Sequence, residues 1–222
     1  MKQTPAVDTH NADLLALMPR HSTNVVEVGC SLGALARAFK KLAPSCHYTG
    51  IEIDADYAEA SKRYCDHVLH ASVEELDDAT FDSLFPSDCW IFGDTLEHLR
   101  DPWQVLRRIR DRIYSEGSVV ACIPNAQHWS VQARLNSGQF RYEDSGLLDR
   151  THLRWFTRIT MMELFESTGF RIVEGGSRVM DEPGRDKFLD AIKAMAQANN
   201  VDPEQAAKDA IPIQWVVRAE PK

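Results

Sequence analysis

Two glycines and a distant carboxylate make the first chemical suggestion in this chain. The run Val25-Val26-Glu27-Val28-Gly29-Cys30-Ser31-Leu32-Gly33-Ala34-Leu35-Ala36 is a buried-strand pattern that breaks into a small-residue turn and then a helix. Such a turn offers backbone N–H groups to a nucleotide at the edge of a sheet. Gly29 permits the sharp turn and close ligand approach, and Gly33 lets the next helix pack near the strand. Ser31 stands between them, which removes some backbone freedom. Glu52 ends the strand His47–Asp54, 19 residues after Gly33, the spacing at which such folds set a carboxylate against ribose hydroxyls. Asp54 shares that face and also reads as the N-cap of a helix around Ala55 to Tyr64.

The elements that must position these residues alternate. A helix near Ala12 to Met18 precedes strand 24–29, helix 32–42, strand 47–53, helix 55–64, a short strand 67–70 and strand 89–92. A helix from about Asp101 to Ile113, strand Ser118 to Ile123, a long irregular stretch to about Phe156, a helix near 158–168, strand 170–180, helices within 186–209 and a last strand 213–219 complete the chain. Alternation of this kind predicts an α/β fold with a doubly wound, Rossmann-like, mostly parallel sheet of seven strands. The last two strands are expected to pair antiparallel at the sheet edge.

Composition bounds the partners. With 222 residues and 44% hydrophobic content the chain reads as one domain with a real core. A formal net charge of −8 opposes the broad electrostatic footprint of a nucleic-acid binder and favours a small molecule or a glycan. Cys30, Cys46, Cys65, Cys89 and Cys122 form no C-x-x-C pair and read as reduced packing residues, and no metal site is apparent. The start MKQTPAVDTHNADLL lacks the regions of a signal peptide, and no apolar run approaches the ~20 residues of a membrane span, so a cytoplasmic protein is expected.

Trp90-Ile91-Phe92-Gly93-Asp94 leads into Thr95-Leu96-Glu97-His98-Leu99-Arg100-Asp101-Pro102-Trp103, with the Gly93–Asp94 turn at the carboxyl end of the fourth strand. Ligands in open α/β sheets bind at that edge. V-E-V-G-C-S-L-G, G-I-E-I-D and D-T-L-E-H-L-x-D-P-W, in this order and spacing, resemble the class I S-adenosylmethionine-dependent methyltransferases. The resemblance implies a cofactor site made of Glu27, Gly29, Cys30 and Gly33 at the methionine end, Glu52 and Ile53 at the ribose, Ser72 by the adenine, and Gly93 and Asp94 at the fourth strand. Many relatives carry an aspartate near the position of Ser72. Glu97 and His98 read as ties between this loop and neighbouring backbone.

The distinctive region follows Ile123. Residues 124–157 lie over the carboxyl edge and read as a lid or substrate wall within the single domain. I-P-N…H-W, G-L-L-D-x-T-H-L-R-x-F-T and the closing I-Q-W-V-V-R-A resemble a bacterial methyltransferase subgroup of surface-glycan and secondary-metabolite pathways. Methyl transfer to a hydroxyl requires orientation of the acceptor and removal of its proton. His128 and His152 are the candidate bases, with Asp149 orienting one or acting itself. The same side chains suit a hydrogen-bonded lock on the lid.

The expected activity is therefore O-methylation of a small molecule or glycan, with N-methylation of a small metabolite as an alternative and homodimerisation open. Two rivals remain. One is a non-catalytic partner similar to the methionine-biosynthesis W protein, and the other is a nicotinamide-dependent dehydrogenase using the same ribose carboxylate.

Overall fold

The computed structural model describes residues 7–222; residues 1–6, the start of the stretch read for a leader, lie outside the described residues. Seven strands form one sheet in the order β3-β2-β1-β4-β5-β7-β6: β1 (Asn24–Val28), β2 (His47–Glu52), β3 (His67–His70), β4 (Cys89–Gly93), β5 (Ser118–Pro124), β6 (Phe170–Arg178) and β7 (Gln214–Pro221). The first five run parallel, and β7 lies antiparallel between β5 and the edge strand β6.

Burial on both faces explains the central strands. Every residue of Val25–Val28, Cys89–Phe92 and Ser118–Ile123 is buried, as parallel strands covered by helices on two sides require. Parallel register places Val28 beside Ile51 and Phe92, so β1, β2 and β4 end together at their carboxyl edge. One face packs α1 (Ala12–Leu17) and α2 (Ala34–Leu42) through Leu14, Leu35 and Phe39. The other packs α5 (Pro102–Arg110) and α7 (Arg158–Ser167) through Leu106, Ile109, Leu164 and Phe165.

Capping fixes where the helices start. Asp54 accepts the N–H groups of Asp56 and Tyr57 at the head of α3 (Ala55–Ser61), and Asp101 accepts that of Gln104, with Pro102 as the first residue of α5. A short helix α4 (Asp78–Asp82) joins β3 to β4, unforeseen because five residues give too little periodicity.

The stretch after β5 is less irregular than its polar composition suggests. It contains α6 (Trp129–Asn136), and an isolated bridge pairs Asn125 with Phe156, bringing its two ends together. Asn125 is fully buried and its Nδ2 donates to the carbonyls of Asp209 and Pro212, both at 2.8 Å, beside α9 (Pro203–Asp209). The insertion is thus clamped at its base. Helix α8 (Asp186–Ala198) packs against α9 through Ile192, Ala196 and Ala206, forming a small separate cluster. All five cysteines are buried free thiols, in keeping with a packing role. Among the described residues no helix is long and apolar enough to cross a membrane.

Candidate active site

Where β1 ends, the chain turns through three left-handed residues: Gly29 at φ 74°, Ser31 at 49° and Gly33 at 75°. Glycine adopts that conformation freely, whereas Ser31 incurs about 1 kcal/mol or more of strain. What holds Ser31 there is visible. Its N–H donates to Glu52 Oε2 at 2.7 Å, while the N–H of Asp54 donates to Oε1 at 3.0 Å. Glu52 therefore ties the β1 loop to the end of β2 through both oxygens, and each oxygen keeps a lone pair for a further donor.

The buried carboxylate lines a cavity of about 510 Å³ with Ile53, Ser72, Gly93, Asp94 and Leu99. Ser72 sits at the head of a short 3-10 turn, Val73–Glu75. A second hollow of about 400 Å³ continues past Gly29 and Cys30 to Glu27. Glu27 is buried and accepts the Tyr48 hydroxyl at 2.9 Å. Burial first, then Cys30, pushes its carboxyl well above the usual range, against the lowering effect of that hydrogen bond.

Thr95 belongs to the D-T-L-E-H-L segment, but nothing in that segment discloses which backbone its hydroxyl would reach. Its hydroxyl lies 3.0 Å from the Val28 carbonyl and 3.2 Å from that of Gly93, pinning the first loop to the fourth. A Cβ on Gly29 would stand 2.7 Å from that same oxygen, so the close approach as well as the dihedral requires glycine.

A third cavity, about 650 Å³, shares Asp94 and His98 with the first and is walled by Glu97, Asp149, His152 and Arg178. The expected tie is present: the Glu97 carbonyl accepts the N–H groups of Leu153 at 2.8 Å and Arg154 at 2.9 Å. Its side chain does something else. Glu97 is 1% exposed, and among the described residues no other residue donates a hydrogen bond to either carboxylate oxygen. His152 Nε2 lies 4.0 Å from Oε1. Burial, followed by the charges of Asp94 and Asp149, drives the Glu97 carboxyl well upward. Asp94 is itself raised to about 6 by burial.

Burial pushes the two imidazoles here toward the neutral form. Burial lowers His98, and burial with the neighbouring His98 brings His152 down to about 4. Their rings meet edge to face with centroids 4.8 Å apart. Asp149 Oδ1 accepts the Thr151 N–H at 2.8 Å and the Thr151 hydroxyl at 2.6 Å, so it both shapes the lid loop and faces the cavity.

His128 is placed apart from this pair. It caps α6, with Nδ1 2.8 Å from Ser130 Oγ and Nε2 3.1 Å from Glu182 Oε2, and is 1% exposed. Its ring is buried and is not among the residues that line the 650 Å³ cavity. Trp129 stacks on Phe188 and Trp155 packs edge-on against His152, as lid packing.

Comparison with known proteins agrees with this geometry. Residues 6–175 match the family described as "Methyltransferase domain". No curated protein sequence matches. Among solved structures, a Thermotoga maritima S-adenosylmethionine-dependent methyltransferase, described as a possible histamine N-methyltransferase, superposes with TM-score 0.61 at 14% identity over 95% of this chain and 86% of that one. Magnesium protoporphyrin IX methyltransferase from Synechocystis with bound S-adenosylmethionine gives 0.54 at 10% identity over 95% and 76%. An O-methyltransferase from neocarzinostatin biosynthesis, in complex with S-adenosylmethionine and 2-hydroxy-5-methyl naphthoic acid, gives 0.54 at 14% identity over 95% and 50%.

Proposed function

We propose, from the premise that this chain belongs to the methyltransferase-domain family and is an S-adenosylmethionine-dependent methyltransferase, that it methylates a hydroxyl oxygen of a small molecule or glycan. Family membership and the antiparallel seventh strand dispose of the nicotinamide dehydrogenase reading. The residues fit the cofactor. Glu52, with Ile53 beside it, would take the ribose hydroxyls, Ser72 would flank the adenine, Glu27, Gly29, Cys30 and Gly33 would receive the methionine end, and Gly93 with Asp94 would close the junction. When bound, the cofactor supplies a methyl group on a positively charged sulfur.

The observation that carries the reading is the meeting of the two larger cavities at Asp94 and His98. An acceptor in the 650 Å³ cavity would present its oxygen near that junction. His152, neutral there, would take the hydroxyl proton as the oxygen gains its methyl group, with Asp149 shaping the loop that carries it. His128 is left out of this set because it is buried and does not line that cavity. Residues 124–157 would serve as the substrate wall.

One observation favours a second reading, N-methylation. Asp13, Asp94 and Asp149 give the acceptor cavity an acidic wall that suits an ammonium group. Incubation with S-adenosylmethionine and panels of phenols, sugars and primary amines, with product mass and fragmentation as the readout, separates the two. An ether product supports O-methylation and an N-methyl product replaces it. Cofactor binding without turnover on any acceptor would favour the non-catalytic partner similar to the methionine-biosynthesis W protein.

A further inference from the structure

The unsatisfied carboxylate of Glu97 is the outlying observation in this molecule. Buried polar atoms normally find partners, and an orphan carboxylate in a protein interior is costly. The other buried carboxylates beside the cofactor cavities conform: Glu52 accepts two backbone amides and Glu27 accepts a tyrosine hydroxyl. Among the described residues Glu97 has no such donor beyond its own backbone amide, and two imidazoles face it. One donor atom from each of Glu97, His98 and His152 lies within 4.8 Å of the others.

We propose that Glu97, His98 and His152 form a binding site for one divalent first-row transition cation, of the zinc or manganese class, in the wall of the acceptor cavity. The donor chemistry selects the class. Two imidazole nitrogens and one carboxylate suit zinc, manganese or iron(II), whereas magnesium and calcium prefer oxygen alone. Bonds of about 2.1 Å hold adjacent donors about 3 Å apart, so the three side chains must close by an ångström or so. The cavity leaves room for that movement and for further ligands.

The surrounding contacts have the form expected around metal-bound histidines. His98 Nδ1 is 3.2 Å from the Thr151 carbonyl and 3.1 Å from its hydroxyl, and that hydroxyl donates to Asp149 at 2.6 Å. A proton on Nδ1 donated to the carbonyl leaves the Nε2 lone pair for the metal. His152 likewise hydrogen-bonds to the Leu147 backbone. Thr151 and Asp149 are thus positioning residues for His98.

A cation held by three protein groups keeps open positions, and these face the cavity. A bound cation would occupy the His152 lone pair and so replace His152 as the proton-accepting group, lowering the acceptor oxygen's hold on its proton, which would pass to solvent; that use rests on the methyl-transfer reading above, and the binding does not. The test is therefore two titrations on the untagged, chelator-stripped full chain. Calorimetry with zinc and with manganese should show one site per chain, with magnesium at least about 10-fold weaker. Glu97→Gln and His152→Ala should each abolish the site, and Thr151→Val should weaken it about 10-fold or more as a supporting residue does. Titration of the same preparations with S-adenosylhomocysteine should give equal affinities, which verifies that each variant is folded. Absence of zinc and manganese binding to the parent, or undiminished binding by folded Glu97→Gln, overturns the metal site while leaving the methyl-transfer reading intact. Metal binding without S-adenosylhomocysteine binding does the reverse.

Discussion

The two sides of the Asp94 junction differ in how their polar groups are satisfied. On the cofactor side, the elements that carry the ligand groups are a strand end, a tight turn and a second strand end, and the Glu52 carboxylate is held at both oxygens by backbone amides. On the acceptor side the groups come from a 3-10 turn and the loop that returns over it, and no other residue among those described donates a hydrogen bond to the Glu97 carboxylate. The first arrangement is complete before any ligand arrives. The second is complete only with one. Preorganised binding and unfinished chemistry thus sit on opposite sides of one residue.

If the comparison is right, damage on one side should leave the other unaffected. The largest effect is expected from Gly33→Arg. A Cβ at φ +75° already meets Ser61 at 3.3 Å, and a full side chain cannot be housed, so S-adenosylhomocysteine binding by calorimetry should vanish. On the acceptor side, His152→Ala should lower turnover by about 100-fold or more, the usual scale for a lost proton-transfer group, while S-adenosylhomocysteine affinity stays within about twofold. An unfolded His152→Ala protein would show that the imidazole locks the lid instead.

Glu52→Ala comes next. Removing charge-assisted bonds worth about 1.5–3 kcal/mol each should weaken S-adenosylhomocysteine by roughly 10- to 100-fold and free the Ser31 turn. Glu27→Gln sharpens the comparison through pH. The folded-state carboxyl is raised, so the folded chain retains a proton that the unfolded chain has released, and stability declines as pH rises above the ordinary carboxylate range. Thermal melts of Glu27→Gln should show a shallower decline toward neutral pH and no difference from the parent in acid. The smallest effect belongs to Ser31→Gly, which relieves a φ of 49° and should change stability by about 1 kcal/mol or less in either direction, since relief of strain is opposed by a freer unfolded chain.

The same division governs what the sequence discloses. Gly29, Gly33 and Glu52 act through spacing along two consecutive strands, and spacing is preserved when the chain is read as letters. The parallel core follows for the same reason, since Cys89–Phe92 and Ser118–Ile123 are continuous apolar runs bounded by turns. Glu97 and His152 are 55 residues apart and meet only because the loop at 151–154 returns over the 3-10 turn, where the Glu97 carbonyl accepts two of its amides. No periodicity encodes that return. His128, a histidine beside a tryptophan in a polar loop, reads as a candidate base in the sequence, which does not disclose that a helix begins there and takes its ring as a cap.

The most direct test of the central claim is one calorimetric series with S-adenosylhomocysteine on the parent, Glu52→Ala and His152→Ala. Binding by the parent that is weakened in Glu52→Ala and unchanged in His152→Ala is the predicted pattern. Equal losses in both variants, or no binding by the parent, would contradict a preorganised cofactor half that is independent of the acceptor half.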